Sequence, residues 1–434
     1  MKRDNDYFFA WFNRLRHVIE ASVAFKLTYY ALFLKYVEIN NFTSYKEPYS
    51  LSYLSMLYGD RIDENAITQY LYDIEKELLI TGGIISQSFS DLLKRVSDKK
   101  AVKDILSMVY ELNIDSNQKI VEIFDEVMEL EYTYAGKSGG EYSTNKSLAK
   151  LESKLLNVTA GSQIYDGYCG YGTSICEASK EDTQLFIRDI NTEALSIATI
   201  NLIIHGKNIK NVTCGDSNFD CENKYKYVIS EPPFNIHRDD EYIIHLNSVL
   251  PIVSRTTVEI ERSIQSLSDD GRAVILVPTG FLFRSSTTAE LRKNLIEKNE
   301  IEAVIELPEN VLSGTGVRTA ILVINKQKKN DKVYIMDSSS FWTKEARFIT
   351  RINDENIATI IEMINEQKDV PGMASLVDHK KIAENDFNLT PSWYIMSGSS
   401  EGYIKIDCAD MIENGRKLEK EVIKICEELD ILRS

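Results

Sequence analysis

Proline and histidine are scarce in this chain of 434 residues, which contains 8 prolines and 5 histidines. Only one proline, Pro48, precedes Glu231, so nothing in the first half of the chain prevents long helices. The 6 cysteines form no Cys-x-x-Cys pair. Few histidines and the absence of such pairs argue against a structural zinc site and favour a reduced, cytoplasmic compartment.

Positive charge and long apolar runs are lacking as well. The formal net charge is -16 and the pI is about 5.0, whereas a protein that binds DNA alone and without sequence preference normally carries a basic surface. A DNA substrate would therefore need a partner that supplies phosphate contacts. No run of 18 apolar residues occurs and the first residues do not resemble a signal peptide, so we expect neither a membrane span nor export.

Hydrophobic residues make up 43% of the chain and charged residues 27%, as in an ordinary globular protein of two or three domains. Helical spacing of apolar residues predicts an all-α N-terminal domain over residues 1–135. Its predicted helices cover residues 7–39, 67–79, 89–96, 102–112 and 120–130. The Gly- and Ser-rich stretch 135–144 is the predicted linker. Residues 396–434 are a predicted helical tail, with a charged helix over 410–432.

Between residues 136 and 395, predicted strands alternate with predicted helices. The strands are 163–165, 185–187, 212–214, 227–229, 273–277, 301–307, 319–324 and 333–336. The helices are 193–205, 250–267, 287–298 and 356–367. This alternation predicts a Rossmann-like α/β domain, with a doubly wound, mostly parallel sheet that binds ligands at the carboxyl ends of its strands. After residue 336 we expect no further strand and a loop-rich passage to Tyr394.

A glycine-rich segment, Asp166-Gly-Tyr-Cys-Gly-Tyr-Gly172, follows the first predicted strand. Glycine lets the backbone approach a ligand there, but a tight turn without a ligand or a dinucleotide site would show similar glycines. Acids at three successive strand ends, Asp166, Asp189 and Asp216, favour S-adenosylmethionine. In that order they suit its cationic amino group, its ribose hydroxyls and its adenine amine.

The segment Glu231-Pro232-Pro233-Phe234 follows the fourth predicted strand, where the prolines end the ladder. An enzyme that methylates an exocyclic amine must accept hydrogen bonds from the two N–H groups of the amine and must stack the base against a side chain. The Glu231 carboxylate and the Pro232 carbonyl are candidate acceptors, and Phe234 is a candidate stacking face for a base flipped out of the duplex. The alternative is a rigid turn that happens to contain two prolines.

Most of the chain resembles the modification subunit of type I restriction–modification systems, an N6-adenine DNA methyltransferase family. The resemblance covers residues 139–395 closely and the helical start more loosely. Its motifs follow a specific order: Gly140-Glu-Tyr-Ser-Thr144, the glycine-rich segment, Arg188-Asp-Ile-Asn191, 201–206, Gly215-Asp216, Glu231-Pro-Pro-Phe234, 271–278, 282–284, Leu307-Pro308, 314–323 and 382–389.

The resemblance implies an S-adenosylmethionine-dependent methyltransferase. The catalytic residues that it implies are Glu231, Pro232, Pro233 and Phe234. The cofactor-binding residues that it implies are Tyr142, Thr144, Asp166, Gly167, Cys169, Gly170, Gly172, Asp189, Ile190, Asp216 and Ser217. It also implies DNA bound through a specificity subunit, a second copy of the modification subunit and sometimes a restriction subunit.

Three positions depart from the family: Glu231 replaces Asn or Asp, Asn145 replaces Pro, and Gly167 replaces Pro. A carboxylate at residue 231 accepts hydrogen bonds and stabilises positive charge on the amine, which supports an active enzyme. However, Glu is longer by one methylene, about 1.5 Å of chain, and a misplacement of about 1 Å costs about a hundredfold in rate. The alternative is therefore a pseudo-methyltransferase that acts as a scaffold. An NAD-dependent oxidoreductase would give the Pro-Pro turn no role.

Overall fold

The structure, a computed structural model, describes residues 19–42, 51, 64–134, 144–217, 223–234, 255–285, 287–312, 316–347 and 349–395. These residues belong to one compact unit, 1–395. Within these ranges no helix is both long enough and apolar enough to cross a membrane. The predicted helix at 410–432, nearly all of the predicted linker and the start of the first predicted helix lie outside the described residues.

Among the described residues, five helices lie before residue 135, in the order that the sequence predicts. They are α1 Ala21–Asn40, α2 Glu64–Glu77, α3 Ile84–Arg95, α4 Lys99–Glu111 and α5 Asn117–Tyr134. Asp98 begins α4 by accepting hydrogen bonds from the backbone N–H groups of Lys100 and Ala101, as a good N-cap residue does. Helix α1 is apolar around most of its circumference and lies in the core of these helices.

A nine-stranded sheet forms the second part of the described chain. Its strands are β1 Gln163–Asp166, β2 Gln184–Asp189, β3 Asn208–Cys214, β4 Tyr225–Ser230, β5 Leu267–Pro278, β6 Ile301–Glu306, β7 Thr319–Asn325, β8 Lys332–Asp337 and β11 Ala374–Asp378. Their order is β11-β8-β6-β7-β5-β4-β1-β2-β3. Strand β7 is antiparallel to β5 and β6, and β11 to β8, while the remaining pairs are parallel. The predicted α/β fold with a mostly parallel sheet is confirmed.

Helices cover both faces of this sheet, as expected for a doubly wound fold. They are α6 Lys146–Leu156, α7 Thr173–Ala178, α8 Thr192–Ile204, α9 Arg255–Gln265, α10 Gly280–Phe283, α11 Thr287–Glu297, α12 Asp354–Glu366 and α13 His379–Glu384. One hydrophobic core contains residues of α6, α7, α8 and α12. A second contains residues of α9, α11 and α13. The described chain also contains two 3-10 turns, Ser339–Phe341 and Pro391–Trp393.

Helix α8 connects the N-terminal helices to the sheet. Its residues Ile197 and Ile200 belong to the same hydrophobic core as α1, whereas Leu195 packs in the core of the sheet. The Tyr30 and Ser196 hydroxyls are 2.8 Å apart across this contact. The helical segment and the sheet therefore share buried surface, and the domain boundary at residue 135 stays a prediction.

Several elements of the structure were not predicted from the sequence, among them the short helices α10 and α13. After β8 the chain forms β9 Trp342–Ala346, β10 Ile349–Ile352 and β11, where no further strand was expected. Strand β9 exposes four of its five residues, so it lacks the apolar alternation that predicts a strand. Helix α6 was not predicted either; it begins because the Asn145 side chain accepts the Ser147 N–H at 2.9 Å.

Candidate active site

The carboxyl ends of four neighbouring strands form one edge of the sheet. Strands β4, β1, β2 and β3 are adjacent in that order and parallel, so they all end at the same edge. Asp166 and Asp189 are the last residues of β1 and β2. Glu231 directly follows β4, and Asp216 follows β3 by two residues. The structure thus brings together the four acids that the sequence singled out.

The glycine-rich loop between β1 and α7 leaves no room for a larger residue at Gly167. A β-carbon at Gly167 would lie 2.9 Å from Tyr165 Oη and 3.0 Å from Ser217 Oγ. Gly172 has φ +75°, a conformation that favours glycine. The Cys169 N–H donates to the Arg188 carbonyl at 3.1 Å, which holds the loop against the end of β2.

Asp189 holds the loop from the other side. Its Oδ2 accepts the Gly170 N–H at 2.9 Å, and its Oδ1 accepts the Asn191 N–H at 2.8 Å. Burial raises the pKa of Asp189, and these backbone N–H groups partly counteract the rise. Each carboxylate oxygen has a second lone pair. Asp189 can therefore orient the loop and still accept from the ribose hydroxyls that the sequence assigns to it.

Asp166 is more deeply buried, with 3% exposure. Its Oδ1 accepts the Tyr168 N–H at 3.1 Å. Burial raises the pKa of Asp166 well above its usual range, and the nearby charges of Glu231 and Asp189 add to the rise. A cationic ligand would offset this repulsion, because an opposite charge nearby favours the ionised carboxylate.

Three further predicted cofactor residues, Ser217, Asp216 and Ile190, lie at the same edge. Ser217 is 6% exposed and its hydroxyl donates to the Gly167 carbonyl, which ties the segment after β3 to the glycine-rich loop. The Asp216 carbonyl accepts from Arg188 Nη1 at 3.4 Å. Ile190 is 62% exposed, so an apolar side chain is available beside Asp189 for a flat ring.

These observations fit S-adenosylmethionine better than an anionic ligand. Its ammonium and sulfonium groups are cations, and Asp166, Asp189 and Glu231 concentrate negative charge around the glycine-rich loop. Gly167 lets the backbone lie close to the ligand space, since any side chain there would meet Ser217. A dinucleotide pyrophosphate would instead be repelled by these acids.

Glu231 lies in a network of hydroxyl groups. Thr144 Oγ1 is 3.1 Å from both carboxylate oxygens of Glu231, and Ser174 Oγ is 2.5 Å from Oε1. Burial raises the pKa of Glu231, while the Ser174 and Thr144 hydroxyls lower it in part. Pro232 is buried, and Phe234 is half-buried against the core of the sheet. The longer side chain of Glu231 therefore has a defined position.

Sequence reasoning missed two residues of this network, Glu152 on α6 and Ser174 on α7. Ser174 Oγ lies 2.9 Å from Glu152 Oε2 as well as next to Glu231. No local sequence motif indicates a role for Glu152, which lies in α6, a helix that was not predicted. Tyr142 lies outside the described residues.

His205, His237 and His245 show no metal-like grouping in the sequence, so we expect them to be structural. His205 Nδ1 is 2.9 Å from the Asn201 carbonyl, and Nε2 is 3.3 Å from Asp125 Oδ1, which places this ring between α8 and α5. His237 and His245 lie outside the described residues.

Comparisons with known proteins point to one family. The family described as N-6 DNA Methylase matches residues 115–402. The type I restriction enzyme MpnII methylase subunit of Mycoplasma pneumoniae is 26% identical over 386 residues, 77% of this chain and 70% of that protein. The type I restriction enzyme MjaVII methylase subunit of Methanocaldococcus jannaschii is 24% identical, over 79% of this chain and 67% of that protein.

Solved structures share the fold. A type I restriction-modification system methyltransferase subunit from Streptococcus thermophilus superimposes with a TM-score of 0.71 at 18% identity, covering 90% of this chain and 98% of the other. A structure described in terms of complex assembly and conformational transition of the type I R-M system gives a TM-score of 0.65 at 16% identity, covering 96% and 93%.

Proposed function

Because this chain belongs to the N-6 DNA methylase family, we propose that it transfers a methyl group from S-adenosylmethionine to the N6 atom of adenine in DNA. The observation that carries the proposal is the position of Glu231. It follows β4, next to β1, whose last residue Asp166 is close enough for the two charges to interact. An acceptor for the target amine thus lies beside the acids proposed to hold the cofactor.

In this proposal, the Glu231 carboxylate and the Pro232 carbonyl accept hydrogen bonds from the two N–H groups of the adenine amine. Two acceptors orient the nitrogen lone pair, and the carboxylate stabilises the positive charge that develops on N6. Phe234 stacks on the flipped base. S-adenosylmethionine, when bound, supplies the electrophilic methyl group. Asp166 and Asp189 bind its amino group and its ribose.

The proposed reaction depends on pH through Glu231. Burial raises the pKa of this carboxyl, and only the ionised form offers both oxygens as acceptors. The ionised fraction grows as the pH rises through the raised pKa. Methyl transfer should therefore increase with pH on the acid side, and Glu231→Asn should lack this limb, because an amide does not titrate.

We also propose that the chain works in an assembly with a specificity subunit that binds DNA, a second copy of itself and, in some systems, a restriction subunit. Relatives named as type I methylase subunits support this assembly. The net charge of -16 supports it too, since another chain must supply the positive charge for phosphate contacts. Access to chromosomal DNA argues for a cytoplasmic protein.

The test is tritium transfer from labelled S-adenosylmethionine to DNA, with the specificity subunit present. We expect the native chain to transfer label, and Glu231→Gln to be strongly impaired because it loses the charge. Glu231→Asn has the side chain of the family and reports on length. A native chain that binds cofactor and partner, transfers no methyl group at any pH, and gains activity only as Glu231→Asn would establish the pseudo-methyltransferase alternative instead.

A further inference from the structure

Two glutamates and a serine lie in contact at the proposed acceptor site. Glu152 is on α6 with 0% exposure, and Ser174 at the start of α7 has 4% exposure. Ser174 Oγ is 2.9 Å from Glu152 Oε2 and 2.5 Å from Glu231 Oε1. One hydroxyl group therefore bridges two carboxyl groups, one fully buried and one partly buried.

The number of protons in this bridge does not match two ionised carboxylates. A serine hydroxyl carries one proton and donates one hydrogen bond, and an ionised carboxylate only accepts. Ser174 can therefore satisfy only one of its two contacts with its own proton. The other contact is a hydrogen bond only if a carboxyl group provides a second proton.

The surroundings indicate that Glu152 holds this proton. Glu152 Oε1 has no hydrogen-bond donor among the described residues, and a buried carboxylate without donors is costly. Glu231 is only partly buried and has Thr144 Oγ1 within 3.1 Å of both oxygens. A negative charge is therefore better accommodated on Glu231.

We propose that Glu152 is a neutral positioning residue, which donates to the Ser174 hydroxyl while Ser174 donates to Glu231, so that Glu231 is the single ionised acceptor of the pair. The inference rests on the proposed function only in taking Glu231 as the group that meets the target amine. Glu152 touches neither substrate nor cofactor; it acts on Glu231 through Ser174 and through the direct side-chain contact between the two carboxyl groups.

Other groups around the pair agree with this distribution of charge. Burial raises the pKa of Glu152 well above its usual range, and the charges of Glu231 and Asp166 add to the rise. Asp166 faces the pair from β1 and Tyr132 from α5, and Thr144 and Ser174 contribute neutral hydroxyls. Burial and the charges of Glu231 and Asp166 outweigh the opposing effect of the Ser174 hydroxyl on the pKa of Glu152, so a second negative charge here would be destabilised.

Infrared difference spectroscopy of the protein without cofactor tests the proposal independently of methyl transfer. A protonated carboxyl group shows a C=O stretching band that an ionised carboxylate lacks. In the difference between the spectra of native protein and variant at neutral pH, Glu152→Gln should remove one such band, whereas Glu231→Gln, in which Glu152 still carries its proton, should remove none. Loss of the band in Glu231→Gln, or its retention in Glu152→Gln, would overturn the assignment.

Glu75→Gln is the matched control for burial. Glu75 is also 0% exposed, but its contacts are all donors: the Ile85 and Ser86 N–H groups and the Ser86 hydroxyl. Its replacement should remove no protonated band. Ser174→Ala provides a second variant at the site. It should shift the frequency of the Glu152 band, because the hydrogen-bond partner changes.

The pH profile of methyl transfer gives a second readout. If Glu152 is neutral, Glu152→Gln leaves the net charge beside Glu231 unchanged, and the acid limb should stay in place. If Glu152 is ionised, removal of its charge should move the limb to lower pH by about one unit or more, which would refute the proposal. Absence of activity in the native chain would refute the proposed function alone, since the infrared bands would still decide the state of Glu152.

Discussion

Glu131 allows a quantitative test of how burial controls the stability of this protein. It lies on α5 with 1% exposure. Its Oε2 accepts from Tyr29 Oη at 2.5 Å and its Oε1 from Tyr171 Oη at 3.4 Å. Burial raises its pKa from 4.5 to about 7, although the Tyr29 hydroxyl and Lys26 act in the opposite direction.

The sign and size of the effect follow from this shift. An acid with a raised pKa in the folded state binds its proton more tightly there, so its stabilisation is complete below the unfolded pKa and is lost as the pH rises through the folded pKa. A shift of about 2.5 units corresponds to about 3 kcal/mol. Between about pH 5 and about pH 8, the native protein should lose about 2.5 kcal/mol of unfolding free energy through Glu131 alone.

The perturbation is Glu131→Gln, which keeps the shape of the side chain and removes its titration. Unfolding in urea, followed by fluorescence over this pH range, gives the free energies. The native protein should lose about 2.5 kcal/mol relative to the variant as the pH rises. Glu122→Gln, at an exposed residue of α5, is the control and should change the free energy by less than about 0.5 kcal/mol. Parallel pH profiles for native protein and Glu131→Gln would refute the reasoning.

Four further outcomes are expected. Asp189→Ala should weaken S-adenosylmethionine binding at least tenfold by calorimetry, because each charge-assisted hydrogen bond is worth about 1.5–3 kcal/mol; unchanged affinity would contradict its assignment. Gly167→Ala should destabilise the protein by about 1–3 kcal/mol, whereas Gly316→Ala, whose β-carbon would meet nothing within 4 Å, serves as its control in thermal melts. Arg292→Met should cost about 3 kcal/mol or more, since the buried guanidinium donates to three backbone carbonyls; a loss below about 1 kcal/mol would exclude a structural role of this size. The isolated chain should bind DNA weakly at physiological salt, because its net charge is -16 and a negative protein repels phosphate; tight binding without a specificity subunit would contradict this.

The acidic residues at the ends of the strands could be predicted from the sequence, because the pattern that places them is local. A short apolar run followed by an acid or a proline fixes both the strand and the side chain at its end, so Asp166, Asp189 and Glu231 were placed correctly at the end of their strands. The resemblance to type I modification subunits is confirmed by the family match and by the relatives. The roles of the individual site residues stay predictions.

Contacts between distant segments could not be predicted in this way. Ser174 and Glu231 are 57 residues apart, and Thr144 and Glu231 are 87 apart. Their meeting depends on how α6 and α7 pack beside β4, which no periodicity encodes. The predicted charged helix over residues 410–432 lies outside the described residues.

The position of α8 affects how the chain can fold during synthesis. The ribosome completes α5 at Tyr134. Helix α8, which packs in the same hydrophobic core as α1 to α5, ends only at Ile204. At a synthesis rate of about 5–20 residues per second, the roughly 70 residues between Tyr134 and Ile204 take about 4–14 s. During that interval α1 and its neighbours expose the apolar surface that α8 covers in the structure. A fragment that stops at residue 135 would keep this surface exposed permanently, so we expect it to aggregate or to be retained by chaperones.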